Sequence, residues 1–182
     1  MKALIQRVTR ASVSLEKPEE ENGEESRPEN RPENRPEKRQ QIAAIKKGVV
    51  VLLGITNGDT EAEAKFLAEK IAQLRIFSHK HVEDALQANK EFDKSLIDIQ
   101  GEALVVSQFT LYGSCDKGRR PDFNSAARPE VAEPLYELFV KLLTGMNVKV
   151  QTGKFGAHMY VALENDGPAT FMIEKLSPNS TL

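Results

Sequence analysis

The stretch Val49-Val50-Val51-Leu52-Leu53-Gly54-Ile55 contains no polar side chain. A short apolar run of this kind is typical of a β-strand that is covered on both faces. Ala103 to Tyr112 is interpreted as another core strand, and Ala3 to Leu15 alternates in the manner of a strand. The chain is therefore expected to build its core around a β-sheet.

Helical patterns alternate with these strands. Thr60-Glu61-Ala62-Glu63 is a capping box, and it predicts a helix that continues to about Phe77. Pro134 to Thr144 predicts a second helix, with Gly145 as its stop. This order predicts an α/β fold: two strands, two helix–strand units and then further strands. The closing strands are expected at about residues 147–154, 158–164 and 169–175.

Length and composition are those of one ordinary globular domain. The 182 residues are 40% hydrophobic and 29% charged, which is enough to bury a sizeable core. Cys115 is the only cysteine, so neither an internal disulfide nor a multi-cysteine zinc site is possible. No run is long and apolar enough to span a membrane and no signal-peptide pattern is present, so we expect a cytoplasmic protein. The net charge of −2 gives no general attraction to nucleic acid, and any such contact must come from a local basic surface.

One segment, at about residues 17–41, departs from the globular pattern. Arg27-Pro28-Glu29-Asn30 is repeated at 31–34, and between 17 and 40 there are six basic and eight acidic residues. Frequent proline and the lack of an apolar face predict a disordered insertion in the single domain 1–182. The alternative is an additional arm that binds RNA or a partner protein.

Two short segments offer polar groups beside apolar strands. Ser107-Gln108-Phe109-Thr110-Leu111 ends one predicted strand, and alternation places Ser107, Phe109 and Leu111 on one side of it. Asn165-Asp166-Gly167-Pro168-Ala169-Thr170 is read as a turn between two strands, and its Gly-Pro bond can be cis or trans. Taken alone, the first segment is as well explained by core packing, and the second by an ordinary trans turn.

Together the two segments resemble the signature motifs of the D-aminoacyl-tRNA deacylase family, which removes D-amino acids wrongly esterified to tRNA. The resemblance covers nearly the whole chain except about residues 17–41 and the last few residues. It implies a three-layer β/β/α arrangement, no cofactor and no metal. The other segments that match, in the order of the family, are 1–13, Val51–Gly54, Arg120–Phe123, Tyr136–Val140 and Thr152–Met159.

The resemblance also implies the site and its partners. Thr110 and Gln108 would be the catalytic positions, and substrate would contact Ser107, Phe109, Met159, Gly167 and Pro168. The family holds the Gly-Pro bond in cis and inserts it into the active site of the neighbouring subunit. The implied partners are therefore a tRNA charged with a D-amino acid or glycine and a second copy of the chain.

Thr110 is the obvious candidate nucleophile, but a threonine hydroxyl is weak without a base that accepts its proton. The histidines lie outside both motifs: His79 and His81 are interpreted as solvated loop residues and His158 as structural. Asp166 is interpreted as a turn former. We therefore expect Thr110 and Gln108 to position the substrate. The family resemblance implies that the ribose 2′-hydroxyl of the substrate assists the reaction and that main-chain amides stabilise the oxyanion.

A basic loop follows the first motif. Lys117, Arg119 and Arg120 are placed to reach phosphates near the ester, and Lys46, Lys47, Lys149 and Lys154 would extend this surface. A non-catalytic RNA-binding module is the main alternative function. An enzyme that depends on a metal or nucleotide is less favoured, because neither a glycine-rich phosphate loop nor a histidine–carboxylate cluster is present.

Overall fold

The computed structural model describes residues 1–17, 39–78, 92–116 and 118–178. They form a mixed α/β structure, as predicted, in which one six-stranded sheet is accompanied by two α-helices. None of the helices in these ranges has the length and apolar character needed to cross a membrane. The elements are β1 (Lys2–Glu16), β2 (Arg39–Ile45), β3 (Gly48–Gly54), α1 (Glu61–Gln73), β4 (Glu102–Ser107), a 3₁₀ helix (Phe109–Tyr112), α2 (Pro129–Gly145), β5 (Lys149–Thr152) and β6 (Tyr160–Glu174).

The long strand β1 organises the sheet, because three strands pair with it. Lys2 pairs with Gly54 of β3 on one edge and with Glu174 of β6 on the other. The second half of β1 pairs with β2 in place of β3, and it continues to pair with β6. β3, β4 and β5 then follow side by side in parallel register. The carboxyl ends of β3 and β4 therefore lie at the same edge.

The apolar run of β3 is buried because different layers cover its two faces. Val51 packs with Leu67 of α1 and Phe139 of α2 in the larger apolar cluster. Val50 belongs to a second cluster with residues of β1, β2 and β4, among them Val13. The sheet thus folds over on itself and carries the helices on one side, which gives the β/β/α layers that were expected.

The helix boundaries differ from the predicted ones. The capping box is present, with the backbone N–H of Thr60 donating to Glu63 Oε2 at 2.8 Å. However, α1 ends at Gln73 and does not reach Phe77, whose backbone N–H donates to the carbonyl of Lys94 at 3.0 Å. α2 begins at Pro129, where proline is well suited to the first helical position. Pro134 lies inside α2, and Gly145 is its last helical residue.

The strand boundaries also differ from the predicted ones. β4 ends at Ser107, and the chain continues as the 3₁₀ helix. Residues 39–41, assigned to the insertion, belong to β2, which was not predicted. The rest of that insertion, 18–38, lies outside the described residues, so its disorder stays a prediction.

The last two predicted strands form the single strand β6. Gln6 of β1 pairs with Thr170, and Val8 pairs with Asn165. Between these pairs β1 advances by two residues and β6 by five, so residues 166–169 form a bulge in place of the predicted turn.

Candidate active site

A cavity of about 560 Å³ opens where β3 and β4 end. In α/β sheets, ligands commonly bind outside the carboxyl ends of the parallel strands. The wall is mainly apolar, and Phe109, Phe123 and Phe155 supply its aromatic part. Ser107 and Gln108 place polar groups in it. An apolar cavity with a few polar groups is the usual form of a small-molecule site.

The 3₁₀ helix fixes the residues of the first motif. The backbone N–H of Gln108 donates to the carbonyl of Leu53 at 2.8 Å, which joins this segment to the end of β3. The Gln108 side-chain amide donates to Thr110 Oγ1. The predicted alternation of Ser107, Phe109 and Leu111 on one side is therefore wrong, because the chain turns after Gln108. Thr110 is exposed and follows directly after Phe109 of the cavity wall, but Thr110 itself does not line the cavity.

Gly54 allows this segment to lie directly against β3. A Cβ atom at Gly54 would stand 3.0 Å from Leu111 Cβ and 3.1 Å from the carbonyl oxygen of Gln108. Both are tighter than ordinary carbon contacts of about 3.5–4.0 Å. On the other side, the Phe109 ring meets Phe123 edge to face, with centroids 5.0 Å apart. The segment is thus held between the end of β3 and an aromatic pair.

The segment before β6 supplies the opposite wall. Met159 lines the cavity, as the resemblance implied, and its sulfur accepts a hydrogen bond from the backbone N–H of Lys154 at 3.2 Å. His158 also lines it, with its ring edge to face on Tyr160. His158, interpreted from the sequence as structural, thus lies in the cavity wall. His79 and His81 lie outside the described residues.

Gly167 and Pro168 lie elsewhere on this chain. They are exposed in the bulge of β6 and do not line the cavity. Their peptide bond is cis, and Gly167 has a φ of +142°, a conformation that favours glycine. Arg7 holds the preceding residue, because its Nε donates to the carbonyl of Asp166 at 2.8 Å and lies 3.6 Å from its carboxylate. Asp166 thus pairs with arginine within β6 and does not form a turn.

The basic residues form no single surface. Arg119 and Arg120 are exposed in the loop that the Ser114–Asp122 bridge closes, whereas Lys117 lies outside the described residues. Lys149 Nζ lies 2.6 Å from Glu102 Oε1.

Glu102 begins β4, about 17 Å from Ser107 at a rise of ~3.3 Å per residue. The backbone N–H of Lys46 donates to the same carboxylate, and these contacts hold the pKa of Glu102 below its ordinary value, chiefly through Lys149. Lys149 and the backbone of Lys46 are thus held at the end of β4 opposite Ser107, and an extension of the basic surface by these lysines stays a prediction.

Acid–base groups are scarce around the first motif. Tyr112, at the end of the 3₁₀ helix, has a buried hydroxyl without a hydrogen-bond partner in the described part of the chain. Burial, with smaller contributions from Asp59 and Glu174, raises the pKa of Tyr112 far above its ordinary value, so the phenol stays neutral. In those same ranges, no cluster of three or more His, Cys, Asp or Glu side chains could hold a metal ion.

The sequence and the fold are those of a hydrolase family that acts on charged tRNA. The family model described as D-Tyr-tRNA(Tyr) deacylase matches residues 4–174. The D-aminoacyl-tRNA deacylase of Fervidobacterium nodosum is 41% identical over 174 residues, which are 96% of this chain and 97% of the relative. That of Roseiflexus castenholzii is 45% identical, with 96% and 92% covered.

The solved structure of a c-Myc DNA unwinding element binding protein matches with a TM-score of 0.74 and 39% identity, over 97% of this chain and 99% of the other. A probable eukaryotic D-amino acid tRNA deacylase, 18% identical with a TM-score of 0.67, supports the fold. The chain belongs to the D-Tyr-tRNA(Tyr) deacylase family and is a D-aminoacyl-tRNA deacylase by activity.

Replacing Gly54 tests the close contact between β3 and the 3₁₀ helix. We expect Gly54→Ala to lower the free energy of unfolding by about 1–3 kcal/mol, since overpacking forces the backbone to move. Urea unfolding measures this. Gly145→Ala is the matched control, because a Cβ atom at Gly145 meets nothing within 4 Å. If both variants unfold at the same urea concentration, the contact does not constrain the segment.

Proposed function

We propose that this chain hydrolyses the ester of D-aminoacyl-tRNA, and of glycyl-tRNA, to free amino acid and tRNA. The observation that carries the proposal is the cavity in which Ser107, Gln108 and Phe109 stand together at the end of β4. The ester would lie against this segment. The amino acid would extend towards the partner subunit, which supplies Gly167 and Pro168.

Hydrolysis requires water to add to the ester carbonyl, an oxyanion to be stabilised and the ribose oxygen to leave with a proton. The N–H groups that open the 3₁₀ helix, at Phe109 and Thr110, suit the oxyanion, because the first N–H groups of a helix lack partners within it. Thr110 Oγ1 accepts a hydrogen bond from Gln108, which positions the hydroxyl without activating it. A neighbouring ribose hydroxyl of the substrate then assists the transfer of the proton.

The filter against L-amino acids is proposed to come from a second copy of the chain. Gly167 and Pro168 are exposed and stand outside the cavity of their own chain. The outer side of β6 offers a surface for association, because within the described ranges this strand pairs with β1 alone. Val161, Leu163 and Met172 on β6 are exposed by 37%, 37% and 52%. In the homodimer, the main-chain carbonyls of the bulge would bind the substrate ammonium group and occupy the space of an L side chain.

Turnover of matched substrates tests this function. D-tyrosyl-tRNA should be hydrolysed at least about a hundred times faster than L-tyrosyl-tRNA, because the filter acts by exclusion. Glycyl-tRNA should be hydrolysed as well, since it has no side chain to exclude. The rates are measured on fractions from size-exclusion chromatography, with spontaneous hydrolysis subtracted.

Comparable turnover of the L ester would contradict the filter, and a monomeric fraction that keeps full selectivity would contradict its origin in the partner subunit. Tight tRNA binding without hydrolysis would instead favour the non-catalytic RNA-binding module.

Thr110→Ala distinguishes positioning from nucleophilic attack. We expect kcat to fall by no more than about tenfold, because the hydroxyl contributes orientation rather than a covalent bond. Single-turnover hydrolysis of D-tyrosyl-tRNA provides the rate, and Thr144→Ala, at an exposed threonine of α2, is the control. A loss near the ~10⁶-fold effect of removing a catalytic triad serine would show that Thr110 is the nucleophile.

The basic loop is proposed to contact phosphates of the tRNA. Replacing Arg119 and Arg120 with alanine should weaken tRNA binding, and the slope of log Kd against log salt should fall by about two, roughly one for each phosphate that is no longer neutralised. Lys65→Ala/Lys70→Ala, on the exposed side of α1, removes the same charge as a control. An equal change in the two double variants would mean that the effect is one of net charge alone.

A further inference from the structure

The cavity contains one residue of full positive charge that neither motif includes. Apart from the imidazole of His158, Arg128 is the only ionisable side chain among the described residues of the wall. The polar groups of Ser107 and Gln108 are neutral, and most of the remaining wall is apolar. Arg128 is exposed, so its guanidinium is accessible to an anion at the mouth of the cavity.

The backbone of Arg128 is fixed, while its side chain is available. Arg128 is the N-cap residue of α2, and its carbonyl accepts hydrogen bonds from the N–H groups of Val131 at 3.0 Å and Ala132 at 2.9 Å. Its side chain makes no capping hydrogen bond. Within the described ranges the guanidinium has no hydrogen bond or ion pair, so it does not serve to hold the fold together.

We propose that Arg128 binds the 5′-phosphate of the terminal nucleotide of the charged tRNA. This inference rests on the proposed function, because the ester and that phosphate are attached to the same ribose. A cation at the wall of the cavity that receives the ester can therefore reach this phosphate. The planar guanidinium can donate two parallel hydrogen bonds to phosphate oxygens. The first N–H groups of α2 add positive potential at the same wall.

The proposed contact predicts a division of roles among the arginines. Arg119 and Arg120 would bind phosphates outside the cavity, whereas Arg128 would bind the phosphate of the nucleotide that carries the amino acid. Because this phosphate does not change during hydrolysis, Arg128 should contribute to binding and hence to KM, and leave kcat unchanged.

Paired substrates that differ only by the phosphate test the inference. D-tyrosyl esters of adenosine and of adenosine 5′-monophosphate are compared with wild type, Arg128→Ala and Arg128→Lys. For the nucleotide ester, Arg128→Ala should raise KM about tenfold at unchanged kcat, and lysine should restore part of the loss. For the nucleoside ester, all three proteins should have the same KM. Lys141→Ala, which removes an exposed cation further along α2, should resemble wild type with both esters.

Binding of the free ligands separates this inference from the proposed function. By calorimetry, wild type should bind adenosine 5′-monophosphate more tightly than adenosine, and Arg128→Ala should bind both equally. If D-tyrosyl-tRNA is not hydrolysed but this difference in binding is found, the proposed function fails and the phosphate site stands. Equal binding by wild type overturns the inference, as does a KM increase in Arg128→Ala that is the same for both esters. An equal KM increase would mean that Arg128 contacts the amino acid or the nucleoside, which both esters contain.

Discussion

The parallel pairing of β3 with β4 is the constraint on which the site depends. It sets Leu53 opposite Ser107, so both strands end at one edge of the sheet. There the carbonyl of Leu53 accepts the N–H of Gln108 and the chain turns into the 3₁₀ helix. Parallel strands buried on both faces require apolar residues on both faces, and the run at 49–55 supplies them. The parallel pairing of β3 with β4 therefore both buries the apolar core and places the cavity at the ends of these strands.

A buried ion pair is connected to the cavity wall through Thr56. The α-ammonium group of Met1 donates to Asp59 Oδ1 at 2.7 Å, and both side chains are fully buried. The second carboxylate oxygen of Asp59 accepts the N–H of Thr56 at 2.8 Å, and Thr56 forms a β-bridge with Ala126 in the cavity wall. Removal of one partner of a buried ion pair typically costs about 3–5 kcal/mol. The geometry of the wall is thus connected to the start of β1 by a short chain of polar contacts.

Sequence patterns identified the parts of the fold that depend on local chemistry. The apolar run of β3 and the capping box at Thr60 were read correctly, because burial on both faces and cap hydrogen bonds leave a direct signature. The 3₁₀ helix at Phe109 was missed because the apolar residues Phe109 and Leu111 continue the strand pattern. The segment turns where it lies against Gly54 of β3, a residue distant in sequence, and strand periodicity does not show such a contact.

The site itself was only partly predictable. Ser107, Gln108, Phe109 and Met159 meet at the cavity as the family resemblance implied, whereas His158 had been interpreted as structural and Arg128 had not been considered. His158 lies in the matching segment Thr152–Met159 but outside both signature motifs, and Arg128 lies outside every matching segment. Both reach the cavity because a loop before β6 and the start of α2 converge on the ends of β3 and β4. Such convergence is a property of tertiary packing, and the local sequence around each residue carries no trace of it.

The polarity of the cavity is consistent with the chemistry proposed for it. An aminoacyl ester is already activated compared with an amide, so the enzyme needs chiefly to hold it, stabilise an oxyanion and reject the wrong stereoisomer. Main-chain groups suit these tasks, because their positions are set by the fold and do not depend on a protonation state. In the proposed homodimer, the exposed glycine–proline bulge of one chain would complete the cavity of the other, which its own bulge does not line. Selectivity would then be a property of the assembly, while the apolar wall and its single arginine are already complete in each protomer.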